Sequence, residues 1–172
     1  RLLQGDVGSG KTAVAAAFAA AICDGGAQCA VLAPTEALAG QLCAQMKKYI
    51  PLAEGECLLI KGSMPAAARR KAEASAADGS ARIIAGTQAL LSEKLKFRKL
   101  GAVVIDEQQR FGVRQRGRLL ADAAHPHLLM MSATPIPRTT ALTFYGDLDL
   151  SVIGSVPAGR TPVETRLAGY AK

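Results

Sequence analysis

The sequence predicts an α/β domain with a mostly parallel central sheet and helices on both faces. Three observations carry that expectation. Short apolar runs alternate with helical stripes along the chain, the pattern of successive strand–helix units. The runs are continuously apolar, as strands covered on both faces are. The chemically suggestive residues fall just after these runs, where ligands bind in sheets of this kind. At 172 residues the chain suffices for one domain with a sizeable core.

Arg1-Leu2-Leu3-Gln4 reads as the stub of a strand, followed by a Gly-rich turn. Val14, Phe18 and Ile22 share one helical face, which predicts a helix packed on the sheet through those side chains. Cys29 to Ala33 is the next strand, broken by Pro34-Thr35. Thr35 can cap a helix with the stripe Leu38, Leu42, Met46 and Tyr49, and Pro51 stops it. Cys57 to Ile60 reads as a strand, and Pro65 to Ala77 as an exposed helix carrying Arg69, Arg70 and Lys71. Further strands are expected at Arg82–Ala85, Val103–Ile105 and Leu128–Met131. From Pro157 the chain reads as a linker, and Val163 to Leu167 is compatible with another strand. The domain is therefore expected over 1–155, with 156–172 as linker and the start of a further unit.

Composition narrows the function classes. With 49% hydrophobic and 20% charged residues the chain is too apolar to be disordered. No run reaches the ~18 apolar residues of a membrane span, so no membrane partner is expected. Cys23, Cys29, Cys43 and Cys57 show no C-x-x-C spacing, and His125 and His127 lie far from them. Buried reduced thiols in a cytoplasmic protein are expected, not a zinc site. The chain opens at Arg1 with no signal-peptide pattern and reads as a piece of a longer protein. The net charge of +7 is compatible with phosphate contacts. Lys94, Lys96, Arg98 and Lys99 form one basic cluster, and Arg110, Arg114, Arg116 and Arg118 another; a solvated face is the commoner explanation of either. Aromatics make up only 4%, which disfavours base stacking as the main grip.

Gly5-Asp6-Val7-Gly8-Ser9-Gly10-Lys11-Thr12 matches G-x-x-x-x-G-K-[ST] between a strand stub and a helix. The glycines let consecutive backbone amides face a phosphate, and the helix start adds its dipole. Lys11 supplies a point charge to the β/γ-phosphates, and the Thr12 hydroxyl can ligate Mg²⁺. A second constellation, Asp106-Glu107, ends the apolar run Val103-Val104-Ile105. Downstream of a phosphate loop, the first carboxylate suits Mg²⁺ and the second suits activation of the attacking water. Gly86-Thr87 and Ser132-Ala133-Thr134 also follow apolar runs. Each threonine alone suits a cap or turn, and their joint placement on one edge favours function.

This series resembles the first motor domain of superfamily 2 helicases and translocases, a RecA-like P-loop NTPase domain. The phosphate loop resembles motif I, Ala33-Pro34-Thr35-Glu36-Ala37-Leu38-Ala39 motif Ia, and Gly86-Thr87-Gln88-Ala89-Leu90 motif Ib. Asp106-Glu107-Gln108-Gln109 resembles the D-E-x-H/Q box, and Ser132-Ala133-Thr134 motif III. Arg110-Phe111-Gly112-Val113 and Thr134-Pro135-Ile136-Pro137-Arg138-Thr139 are similar to segments of two bacterial branches, the RecG family of branched-DNA helicases and the transcription-repair coupling factors. Gln108, Gly146-Asp147-Leu148-Asp149 and Gly159-Arg160-Thr161-Pro162-Val163 lean to the former.

The resemblance implies ATP and Mg²⁺ as cofactors, held by residues 5–12 and Asp106, with Glu107 activating water. It implies nucleic-acid backbone contacts at Pro34, Thr35, Gly86 and Thr87, and coupling through Gln109, Ser132 and Thr134. Gln109 stands where His is frequent; it can bridge by donor and acceptor but cannot become charged. Branched or forked DNA, and a second motor domain of the same chain that supplies an arginine finger, are the implied partners. The implied setting is the bacterial cytoplasm, at the nucleoid. Without the second motor domain, poor hydrolysis by residues 1–172 is expected. The alternatives are the coupling-factor motor domain and a non-motor nucleotide-dependent binding module, which would not need Glu107. A small-molecule kinase would leave the Gly86-Thr87 and Ser132-Ala133-Thr134 sites unexplained.

Overall fold

Leu2–Gly5 (β1), Gln28–Leu32 (β2), Cys57–Ile60 (β3), Ile83–Gly86 (β4), Leu100–Asp106 (β5), His127–Ser132 (β6) and Leu150–Ile153 (β7) pair into one sheet in the order β3-β4-β2-β5-β6-β1-β7. Every pairing is parallel. The computed structural model describes residues 1–106, 126–134 and 148–154. The strands expected within these residues are all present, with bounds shifted by at most three residues; Val163 to Leu167 lies outside them. β7 has no counterpart in the apolar pattern: Asp149 and Ser151 interrupt it, and Val152 is exposed.

Side-chain alternation on β2 divides the core. Cys29, Val31 and Ala33 pack on one face with Lys11–Asp24 (α1) and Glu36–Tyr49 (α2). Ala30 and Leu32 face the other side, with Ala66–Asp78 (α3) and the 3₁₀ turn Gln88–Leu91 (η1). Both faces of the sheet are thus covered, which explains why its strands read as unbroken apolar runs.

Two helical stripes differ from expectation. On α1 the buried residues are Ala15, Ala16, Ala19 and Cys23, whereas Val14 is exposed and Phe18 and Ile22 pack at the margin of the core. An alanine-rich helix is apolar all round, so periodicity does not identify its inner face; close approach to the sheet selects the small residues. On α2, Thr35 caps as expected, its Oγ1 accepting from Leu38 N at 3.3 Å, and Leu42 and Met46 are buried. Tyr49 is exposed, and Ile50, in extended conformation, turns into the core instead.

Gln28 stands in the sequence as one polar residue before a strand, yet it is buried and joins three segments. Its Nε2 donates to the carbonyls of Ala76 at 2.9 Å and Ala81 at 2.7 Å, and its Oε1 accepts from Lys99 N at 3.0 Å. The side chain therefore satisfies the end of α3 and the approach to β5. Gln28→Ala strands these backbone groups, and we expect a loss of about 2–4 kcal/mol. Urea unfolding measures it, with Gln41→Ala on the exposed side of α2 as a control expected within about 0.5 kcal/mol of the parent.

Candidate active site

β1 ends at Gly5 and α1 begins at Lys11, so residues 6–10 reverse the chain between them. Ser9 N donates to the Asp6 carbonyl at 3.1 Å, and Ala13 N to that of Gly10 at 2.9 Å, which closes a tight loop. Gly8 and Gly10 have φ of 80° and 95°, a left-handed backbone that L side chains rarely adopt. Gly10 stands at the N-cap without a side-chain cap, so no side chain claims the first-turn amides of α1.

The Lys11 ammonium folds back over this loop, donating to the carbonyls of Gly5 at 2.7 Å and Asp6 at 2.8 Å. These are neutral acceptors, and a charged phosphate oxygen is a stronger one. Ser9 Oγ is buried with no hydrogen-bond partner. An orphaned hydroxyl beside left-handed glycines and an uncapped helix start fits a phosphate group. Thr12 and Asp106, both partly buried, are oxygen donors of the kind Mg²⁺ takes together with phosphate and water.

Sheet register fixes where Asp106 stands relative to the loop. Asp106 pairs with Met131, and Met131 with Leu3, so β6 alone separates the end of β5 from β1. Two interstrand steps put the backbones of Asp106 and Leu3 about 10 Å apart, on the edge from which the phosphate loop departs. Ser132 is in register with Gln4 and wholly buried between these elements. Its Oγ lies 3.1 Å from Thr134 Oγ1 and accepts from Thr134 N at 3.2 Å, so Ser132 and Thr134 form one local turn. Glu107 and Gln109 lie outside the described residues, as do Arg110 to Val113 and Pro135 to Thr139.

The other half of the edge carries the remaining candidates. Pro34 is partly buried and Thr35 exposed, just past the end of β2. Thr87 caps η1, its Oγ1 accepting from Ala89 N at 3.5 Å. Gly86 is buried at the end of β4, where an added Cβ would stand 2.6 Å from the Ile60 carbonyl oxygen. Its position therefore has a packing requirement independent of any ligand.

The chain is similar to known proteins in sequence and in fold. Residues 1–142 match the DEAD/DEAH box helicase model. The chain belongs to the DEAD/DEAH box helicase family. It is 51% identical over 165 residues to the ATP-dependent DNA helicase RecG of Acidithiobacillus ferridurans, covering 96% of this chain and 24% of that relative. The RecG of Mycobacterium bovis is 49% identical over 181 residues, covering 97% of this chain and 25% of the relative. A solved structure of RecG bound to a three-way DNA junction superposes with a TM-score of 0.77 at 38% identity, over 95% of this chain and 22% of that one. The chain thus spans about a quarter of the length of these relatives. No helix among the described residues is long and apolar enough to cross a membrane.

Two further residues at this edge of the helicase domain are not singled out by the sequence. Gln4 Nε2 donates to the Thr134 carbonyl at 3.4 Å, linking the phosphate-loop strand to the Ser132–Thr134 turn. Glu36 accepts from Ser63 N at 3.1 Å and Ser63 Oγ at 2.8 Å, clamping the loop after β3 onto the start of α2. Its place inside Ala33–Ala39 is a signal, but its partner lies 27 residues away.

The Ser63 hydroxyl, then its amide, hold the Glu36 carboxyl below its ordinary range. The clamp is therefore complete at neutral pH and is lost as the pH falls through this lowered value. An NMR titration should show the Ser63 amide shift moving with a midpoint below that of an ordinary glutamate, and Glu36→Ala should abolish that titration. A Ser63 amide insensitive to acid would refute the clamp.

Proposed function

We propose that the chain is the nucleotide-binding motor domain of a RecG-type, ATP-dependent DNA helicase that remodels branched or forked DNA in replication, recombination and repair. One observation supports this above the others: the phosphate loop, Asp106 and Ser132 share one sheet edge on adjacent strands, within a chain about half identical to RecG over nearly its whole length. Residues 1–155 form this domain on the proposal, and 156–172 lead to a second motor domain. The setting is the bacterial cytoplasm, at the nucleoid.

Lys11 leaves the carbonyls of Gly5 and Asp6 for the β/γ-phosphates, while the amides of residues 5–12 surround them. Thr12 and Asp106 would hold Mg²⁺, which neutralises charge on the phosphates when bound. Glu107 orients the attacking water and takes its proton. Ser132 and Thr134, with Gln109, relay the nucleotide state towards the strands that carry Pro34, Thr35, Gly86 and Thr87, along which the DNA backbone lies. Catalysis here is chiefly positioning and charge stabilisation, and an arginine finger from the second motor domain is worth about 10³–10⁵ in rate. Residues 1–172 alone should accordingly hydrolyse ATP poorly.

ATPase of the whole protein on three-way, forked, linear and single-stranded DNA tests the proposal. Branched DNA should stimulate most. Lys11→Ala should abolish nucleotide binding, and Glu107→Gln should retain ATP and DNA while lowering turnover about 10²–10⁴-fold. Unchanged function in Glu107→Gln would instead mark a nucleotide-dependent switch. DNA affinity should fall at least roughly tenfold between about 50 and 200 mM salt, since backbone contact releases counterions; a flat response would contradict it.

A further inference from the structure

All four cysteines lie on the sheet face covered by α1 and α2, and the proposed chemistry uses none of them. Cys29 and Cys57 are both in register with Ile83, so they bracket β4. Cys23, on the last turn of α1, directs its thiol to the Arg82 carbonyl at 3.7 Å. Cys43 and Cys57 are the pair whose sulfurs meet, with Sγ–Sγ at 3.3 Å across the contact of α2 with β3. No group of three or more potential metal ligands exists among the described residues, so this pair is not part of a metal cage there.

We propose that Cys43 and Cys57 form an oxidisable dithiol that closes to a disulfide on exposure to a small peroxide. The sulfurs must approach by only about 1.3 Å to reach bonding distance. In the first step the Cys43 thiolate attacks one peroxide oxygen; the O–O bond breaks, hydroxide leaves, and Cys43 becomes a sulfenic acid. In the second the Cys57 thiol, giving up its proton, attacks the Cys43 sulfur and displaces the sulfenic oxygen as water. Two thiols are oxidised and one peroxide is reduced to water.

Cys43 is the natural first nucleophile. Lys47 lies one turn along α2 from Cys43, and with the Cys57 thiol as donor in the Sγ–Sγ contact the Cys43 thiol is lowered and Cys57 raised. Burial pushes up Cys23 and Cys29. Cys43 and Cys57 are only 5% and 3% exposed, so only an oxidant as small as hydrogen peroxide suits the pair. The bond would fasten α2, which starts at the Thr35 cap, to the strand that leads into the Ser63 loop.

The native protein is treated with hydrogen peroxide, its remaining thiols are blocked, and it is cleaved at Lys47 and Lys48, between the two cysteines, and at Asp24 and Glu36, which separate Cys23, Cys29 and Cys43, for mass spectrometry without reductant. The expected result is loss of two hydrogens, one Cys43–Cys57 link reversed by dithiothreitol, and free thiols at Cys23 and Cys29. Cys57→Ser, which keeps a hydroxyl donor beside Cys43 but cannot close the disulfide, should instead accumulate a sulfenic acid at Cys43, trapped by a dimedone-type probe. No link, a link through Cys23 or Cys29, or a link formed only in denaturant would overturn the proposal. Should the variant fail to fold, the pattern of links in the parent protein decides the matter alone.

Discussion

Parallel strand pairing is the constraint from which the rest of this molecule follows. When every strand runs the same way, every strand ends at the same edge, and each connection must return across a face of the sheet before the next strand begins. The loops at the carboxyl edge are then free to vary in chemistry while the register behind them stays fixed. Gly5 is about a hundred positions or more from Asp106 and Ser132, yet the three are neighbours because Leu3, Met131 and Asp106 pair in one row. No side-chain attraction between them is needed. The price of this geometry is a sheet buried on both faces, met by two separate apolar layers.

The phosphate loop depends on that frame in a second way. Its glycines and its uncapped helix start leave donors with little to bind, and Lys11 and Ser9 express the consequence differently. Lys11 reaches the carbonyls of Gly5 and Asp6, whereas the Ser9 hydroxyl remains buried and unpaired. Such a loop is stable only if the elements on either side are held firmly. β1 is paired on both sides by β6 and β7, and α1 lies close to the sheet through Ala15, Ala16 and Ala19. Bulkier side chains there would lift the helix and with it the loop. The alanine bias therefore belongs to the site as much as to the core.

The fold class and the motif positions are legible because both are local. An unbroken apolar run bounded by Pro, Gly or Thr marks a strand and its end, as at Ala33-Pro34-Thr35, and the phosphate-loop pattern includes its own strand–turn–helix context. What the sequence conceals is relational. Alanine carries no directional signal, so periodicity points to Val14, Phe18 and Ile22 as the inner face of α1 instead of the small residues. Tyr49 and Ile50 exchange places because the helix ends between them, and helix ends are set by backbone conformation rather than periodicity. β7 is hidden because Ser151 breaks its run, and its pairing with β1 is a contact across about 150 positions. Gln28, Gln4 and Glu36 are ordinary polar residues until their distant carbonyl, amide and hydroxyl partners are known.

The strand order also divides the edge into two territories. β1, β6 and β5 carry the phosphate loop, the Ser132–Thr134 turn and Asp106; β2, β4 and β3 carry Thr35, Thr87 and the Ser63 loop. The boundary is the seam between β5 and β2, where Ile105 lies beside Leu32. On the proposed reading the first territory handles nucleotide and the second nucleic acid, so any message between them crosses this seam or runs above it. The seam itself is a ladder with fully buried side chains from Cys29 to Leu32, which resists deformation. On that reading, communication above the edge is the physically easier route, through the Ser132–Thr134 turn that leaves the carboxyl end of β6. In the second territory, Glu36 binding Ser63 joins two neighbouring loops into one unit.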